Sequence, residues 1–383
     1  MDIQPFTIAV EESALRDLQD RLARTRWLTG INDAGWSEGA DLGFMRHLAD
    51  YWQHKFDWRV REARLNTLPQ FIARVGDERI HFVHQPGAGP APLPLVLTHG
   101  WPGSFAEMEA IIPLLADPGA HGGDPRDAFN VVVPSLPGYG FSAAPRAKGT
   151  GPFEVAGLWA ELMTGLGYER FGAQGGDIGA GVSTWLAARY PERIAGLHLN
   201  FIPGSYRPYL GADRPPIGAQ EQDYLDRVAR WSDEQGAYGK VHGTKPQSLA
   251  LGLNDSPVGL AAWITEKFQA WSDCGGDIER AVSLDQLLTD ISIYWFTGSI
   301  GSSFRMYVES RARPMHFAPE QRILPPLGVA HFPAELPMPP RSWVERGFTV
   351  RRWTEMPRGG HFAALECPEE LAQEIRAFFR PLR

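Results

Sequence analysis

The sequence predicts an α/β fold: a mostly parallel sheet with helices on both faces, a helical lid and an N-terminal extension. Three observations lead there. Short apolar runs alternate with helix-spaced stretches, the pattern of a parallel sheet covered on both sides. That alternation breaks over 204–282, where prolines, glycines and helical pieces such as DYLDRVARW intervene. The first 88 residues carry an amphipathic pattern of their own and close in the turn-rich PGAGPAP at 86–92. The 383 residues therefore divide into an N-terminal region (1–88), a first core segment (89–203), a lid (204–282) and a second core segment (283–383).

Each element has its own signal. Leu15, Leu18 and Leu22 share one helical face, and Phe44, Leu48, Tyr51, Trp52 and Phe56 form a second amphipathic stretch. FIARVGDERIHFVHQ reads as two strands joined at Gly76-Asp77, a hairpin turn. Leu93 to Leu97, Val131 to Val133, Arg170 to Gln174 and Ile194 to Phe201 are the strand-like runs of the first core segment. After the lid, Leu284, Leu287, Leu288, Ile291, Tyr294 and Trp295 follow helical spacing. Strands resume at Leu327 to Val329 and Phe348 to Trp353, and a last helix carries Leu371, Ile375, Phe378 and Phe379.

Composition removes several function classes. Hydrophobic residues at 43% and charged residues at 21% are globular proportions, which excludes wholesale disorder. With 37 Lys+Arg against 45 Asp+Glu, the net charge of -8 repels phosphate backbones, so nucleic acid is not an expected partner. No apolar run approaches the roughly 18 residues of a membrane span, and the N-terminus lacks the layout of a signal peptide. Cys274 and Cys367 are too few for a disulfide framework or a cysteine-based zinc site. A soluble cytoplasmic protein without metal or cofactor is expected. A homo-oligomer is left open.

The chemically informative segment is Gly175-Gly176-Asp177-Ile178-Gly179, between a strand and a helix rich in small residues. Small-x-nucleophile-x-small is the nucleophile elbow of α/β-hydrolases, a sharp turn that presents its central side chain at the carboxyl edge of the sheet. Taken alone, Asp177 reads equally well as a helix N-cap. The stretch does not fit GxGxxG. Other segments favour the elbow. His99-Gly100-Trp101-Pro102 follows a strand, where the Trp101 amide can receive an oxyanion, with the His99 ring as a structural part of the turn. Glu335 and His361 each follow a late strand, so Asp177, Glu335 and His361 run nucleophile, acid, base. Ser142, in GFSAA, fits the elbow pattern but leads into a loop and is rejected.

At these residues the chain resembles the microsomal-type epoxide hydrolases, including the juvenile-hormone group. The likeness covers TRW at 25–27, HGWPGS at 99–104, GGDIG at 175–179, LNDSPVGLAAW at 253–263, YWFTGSIGSSFRMY at 294–307 and RGGHFAALECPEELAQEI at 358–375. The resemblance implies that Asp177 is the nucleophile, Glu335 the acid, His361 the base, and Tyr238 and Tyr307 the two lid tyrosines. Relatives often have Trp after the nucleophile where this chain has Ile178. The vertebrate relatives carry an N-terminal membrane anchor that this sequence lacks, so a soluble, bacterial-like form is expected.

An Asp nucleophile also selects the substrate. Carboxylate attack on an ester or amide gives an anhydride, whereas attack on an sp³ carbon with a leaving group gives an ester that water can cleave. Epoxides and alkyl halides are the candidates. An oxirane leaves as alkoxide, which suits a phenol donor such as Tyr238 or Tyr307. His361, oriented by Glu335, then activates water, and the amides of Trp101 and Ile178 stabilise the oxyanion. The expected partners are a small apolar or aryl epoxide and water. The rivals are a haloalkane-type dehalogenase, for which Ile178 lacks an indole N–H, and a non-catalytic binder of hydrophobic ligands.

Overall fold

A computed structural model describes residues 1–30, 34–211, 216–318 and 320–383. Among them lies one nine-stranded sheet: β1 (Ile3–Pro5), β2 (Gln70–Val75), β3 (Glu78–Gln85), β4 (Leu93–Thr98), β5 (Phe129–Pro134), β6 (Phe171–Gly175), β7 (Ile194–Leu199), β8 (Ile323–His331) and β9 (Phe348–Glu355). The spatial order is β1-β2-β3-β5-β4-β6-β7-β8-β9. β1, β2, β3 and β5 pair antiparallel, and every pair from β5 onward is parallel.

Period-two alternation puts each strand's side chains on both faces. Val96 of β4 joins the core beneath helices Pro152–Gly165 and Asp177–Arg189, while Leu95 and Leu97 join the core beneath Ile111–Ala116 and Pro368–Phe379. Both faces are therefore dry, which explains the continuous apolar runs of the central strands.

The topology joins the four regions closely. The hairpin of the N-terminal region, β2 and β3, extends the main sheet by pairing β3 with β5. The region's helices Glu12–Ala23 and Leu42–His54 pack against the lid helix Pro257–Trp271. Further helices follow the lid segment directly. They are Leu284–Thr297, Ile300–Ser303 and Arg305–Ala312, and the sheet resumes only at Ile323. Residues 212–215, within the expected lid, lie outside the described residues.

Candidate active site

The carboxyl ends of four parallel strands converge beneath the lid: β4 leads to Trp101, β6 to Asp177, β8 to Glu335 and β9 to His361. This is the edge at which open α/β sheets bind ligands. Asp177 is the residue other than glycine with a left-handed backbone among the described residues, at φ 47°, a conformation that costs of order 1–3 kcal/mol. Its neighbours explain how the turn is held. A side chain at Gly175 would collide with the backbone of Gly179, and one at Gly179 with the Thr98 carbonyl. Strand and helix touch there, and only glycine lets them.

The strained turn aims the carboxylate at two partners. Oδ1 accepts the Trp101 N–H at 2.8 Å, and Oδ2 stands 3.4 Å from His361 Nε2. Gly100 is required for this approach, since any side chain there would overlap the Asp177 carboxylate. Ile178 sits in the first turn of helix Asp177–Arg189, so its N–H has no acceptor within the helix. Its side chain lines the cavity wall.

The His99 ring accepts the Leu136 N–H at Nε2 (3.1 Å) and reaches the Gly100 carbonyl through Nδ1 (3.1 Å). Burial lowers its pKa to about 4, so it is a neutral brace for the His99–Pro102 loop. Ser142 accepts the His81 N–H and donates to the Ser135 carbonyl, with no elbow around it.

His361 Nδ1–H donates to Glu335 Oε1 at 2.5 Å, and the Leu336 N–H donates to the same oxygen at 2.7 Å. An isolated bridge between Ala334 and Gly360 ties the two loops together. The lid clamps His361 from above. The Trp271 carbonyl accepts the His361 N–H at 2.9 Å, and the Trp271 indole meets the imidazole edge-on at 5.2 Å. Burial disfavours the imidazolium, but the Glu335 and Asp177 carboxylates outweigh it and hold the His361 pKa well above 6.5.

Tyr238, on helix Ala237–His242, and Tyr307, on helix Arg305–Ala312, meet edge-on with ring centroids 5.8 Å apart. Tyr238 also stacks on Trp101 at 5.3 Å. Burial first, and for Tyr238 the Asp177 charge next, push both phenols upward from 10, so both stay protonated at neutral pH. The Tyr307 hydroxyl is buried and interacts with that of Tyr238.

Two cavities flank Asp177. The one on the lid side, about 350 Å³, is lined by Asp177, Ile178, both tyrosines and apolar walls including Trp185, Phe201, Trp231 and Met306. The other, about 30 Å³, lies behind the carboxylate beside His361, Asn200 and Glu107. It has room for one or two waters. Burial and Asp290 hold the Glu107 carboxyl well above its ordinary range, so it can donate to such a water. Sequence reading missed Glu107, because a carboxylate in SFAEME looks like any solvated helix residue. Among the described residues there is no His/Cys/Asp/Glu group arranged to hold a metal, and no helix is long and apolar enough to cross a membrane.

Residues 3–108 match the family described as "Epoxide hydrolase N terminus", and residues 94–237 match "alpha/beta hydrolase fold". A protein named "Putative epoxide hydrolase" from Stigmatella aurantiaca is 44% identical over 100% of this chain and 86% of its own length. "Epoxide hydrolase 1" of Oryctolagus cuniculus is 38% identical over 98% of this chain and 88% of its own. The solved structure of Aspergillus niger epoxide hydrolase superposes with a TM-score of 0.87 at 31% identity, covering 100% of this chain and 97% of that one. Full-length likeness of this kind, on a strained Asp elbow facing an imidazole and two phenols, leaves one assignment: the chain belongs to the epoxide hydrolase family.

Proposed function

We propose that this protein hydrolyses an apolar or aryl epoxide to the vicinal diol through an ester of Asp177. The observation that carries the reading is the placement of one carboxylate between the Trp101 amide and His361, on the floor of an apolar cavity roofed by two protonated phenols. Asp177 Oδ2 attacks an oxirane carbon. As the C–O bond breaks, its electron pair goes to the epoxide oxygen, which takes a proton from Tyr238 or Tyr307. Such general-acid help is worth about 10²–10⁴ in rate.

The second half uses the other side of the carboxylate. His361 takes a proton from water, and the hydroxide adds to Cγ of the ester. The negative charge formed there faces the amides of Trp101 and Ile178, each such donor being worth about 3–4 kcal/mol. Collapse breaks the bond from Cγ to the alkyl oxygen, which receives the imidazolium proton. The proton left on the Asp177 carboxyl restores the phenol.

Esterification also removes one of the two anions that raise the His361 pKa. With that anion gone the imidazolium can release its proton to solvent, and the neutral ring is then the base that the water needs. The negative surface charge and the two free, buried cysteines support a cytoplasmic setting.

A single turnover of styrene oxide in heavy-oxygen water tests the scheme. The label should enter the Asp177 carboxylate, leaving the first diol unlabelled. Label in the first diol would mean direct attack by water. Chloride release from an alkyl chloride in place of diol formation would favour the dehalogenase instead.

A further inference from the structure

Helix Pro257–Trp271 turns one face toward the acid side of the site. Trp263, Lys267 and Trp271 recur at every fourth position and so share that face. The Trp263 indole N–H donates to His242 at 3.0 Å, and Trp271 packs against both Tyr238 and His361. Between them Lys267 points inward with its side chain 7% exposed. Its ammonium stands over the Tyr238 ring, 4.8 Å from the centroid, and 5.8 Å from that of Trp271. Its carboxylate partner is the adjacent Glu266. Burying an ammonium is costly, and a lysine needed only for its stem would carry its charge out to water.

We propose that Lys267 is a positioning residue for ring opening, a buried cation that stabilises the charge Tyr238 acquires as it gives up its proton. The inference rests on the epoxide-hydrolase reading above. In ring opening the Tyr238 O–H bond breaks, the proton goes to the epoxide oxygen and a phenolate remains. Its charge spreads into the ring beneath the ammonium. A cation over a neutral ring is already attracted by the quadrupole, and the attraction grows with the full negative charge. The effect is thus larger in the transition state than in the resting enzyme, the condition for accelerating a step. The other ionisable groups facing Tyr238 are Tyr307, His242 and Asp177, and Glu266, paired with the ammonium, adds a charge that raises the Tyr238 pKa and that Lys267 must offset. Burial lowers the His242 pKa to about 3, so it is neutral, and Asp177 and Glu266 are of the opposite sign. Lys267 is the cation among them.

The test measures the two half-reactions separately, by rapid-quench mass spectrometry of the styrene-oxide ester. Lys267→Met should slow ester formation about tenfold and leave ester decay unchanged, and Lys267→Arg should restore most of the loss. In a Tyr238→Phe background, Lys267→Met should add no further loss, because the charge acts through the missing oxygen. Ester formation at the wild-type rate in Lys267→Met would overturn the proposal. So would an undiminished loss in the Tyr238→Phe background, or equal slowing of both half-reactions. Lys267→Gln serves as the neutral variant should the Met protein fail to fold. Absence of any ester in the wild-type protein would instead overturn the functional reading.

Discussion

The nucleophilic half of the site and its acid half are built on different principles. Asp177, Trp101, Glu335 and His361 stand on loops that leave neighbouring parallel strands. Sheet register and a few glycine contacts fix their positions. Tyr238 and Tyr307 stand on two short lid helices, held by aromatic packing against Trp101, Trp271 and His242. In the proposed scheme the first half makes and cleaves the ester, and the second serves only ring opening. Damage to each should therefore appear in a different half-reaction.

The largest expected effect is on the strand side. Asp177→Ala removes the atom that bonds to carbon, and diol formation should fall to the uncatalysed rate in a styrene-oxide assay. His361→Gln should leave alkylation intact and trap the ester, visible as a substrate-sized mass adduct. Normal turnover in that variant would erase the division of labour. On the lid side, Tyr238→Phe with Tyr307→Phe should slow ester formation by about 10²–10⁴, with decay of a preformed ester unchanged. If decay slowed as well, the lid would be acting on both steps.

This contrast also separates what the sequence discloses from what it hides. The elbow is legible because its chemistry is local: Gly175, Gly176, Asp177 and Gly179 lie within five consecutive residues, and each glycine answers a contact inside or beside that turn. Glu335 and His361 are legible through their places after strands. The acid half has no comparable local signature. Tyr238 and Tyr307 look like any packed aromatic and come together only when distant helices meet, so resemblance alone singles them out. Lys267 and Glu107 escaped for the same reason. Their meaning lies in burial, and a charged residue in a helical stretch reads as solvated.

A smaller effect tests the strand side's rigidity. Replacing a helical glycine with alanine ordinarily stabilises a protein. At Gly179 the added methyl would press on the Thr98 carbonyl, so Gly179→Ala should instead destabilise by about 1–3 kcal/mol, the range for overpacking. Urea unfolding gives the sign directly, and a gain in stability would show that the elbow does not need the close approach.

The smallest effect is one of proton affinity, read in a variant that no longer turns over. His361 is raised in the free enzyme because two carboxylates outweigh its burial. Asp177→Asn keeps the shape of the side chain and removes one of the charges, as esterification does. Fewer anions favour the neutral imidazole, so the His361 titration, followed by NMR, should move to lower pH in Asp177→Asn than in the wild type. Ester decay requires neutral His361 and should be lost as pH falls through that lower midpoint. An unchanged or higher midpoint in Asp177→Asn would mean that Glu335 alone sets the proton affinity. The nucleophile would then have no part in switching on the base that later releases it.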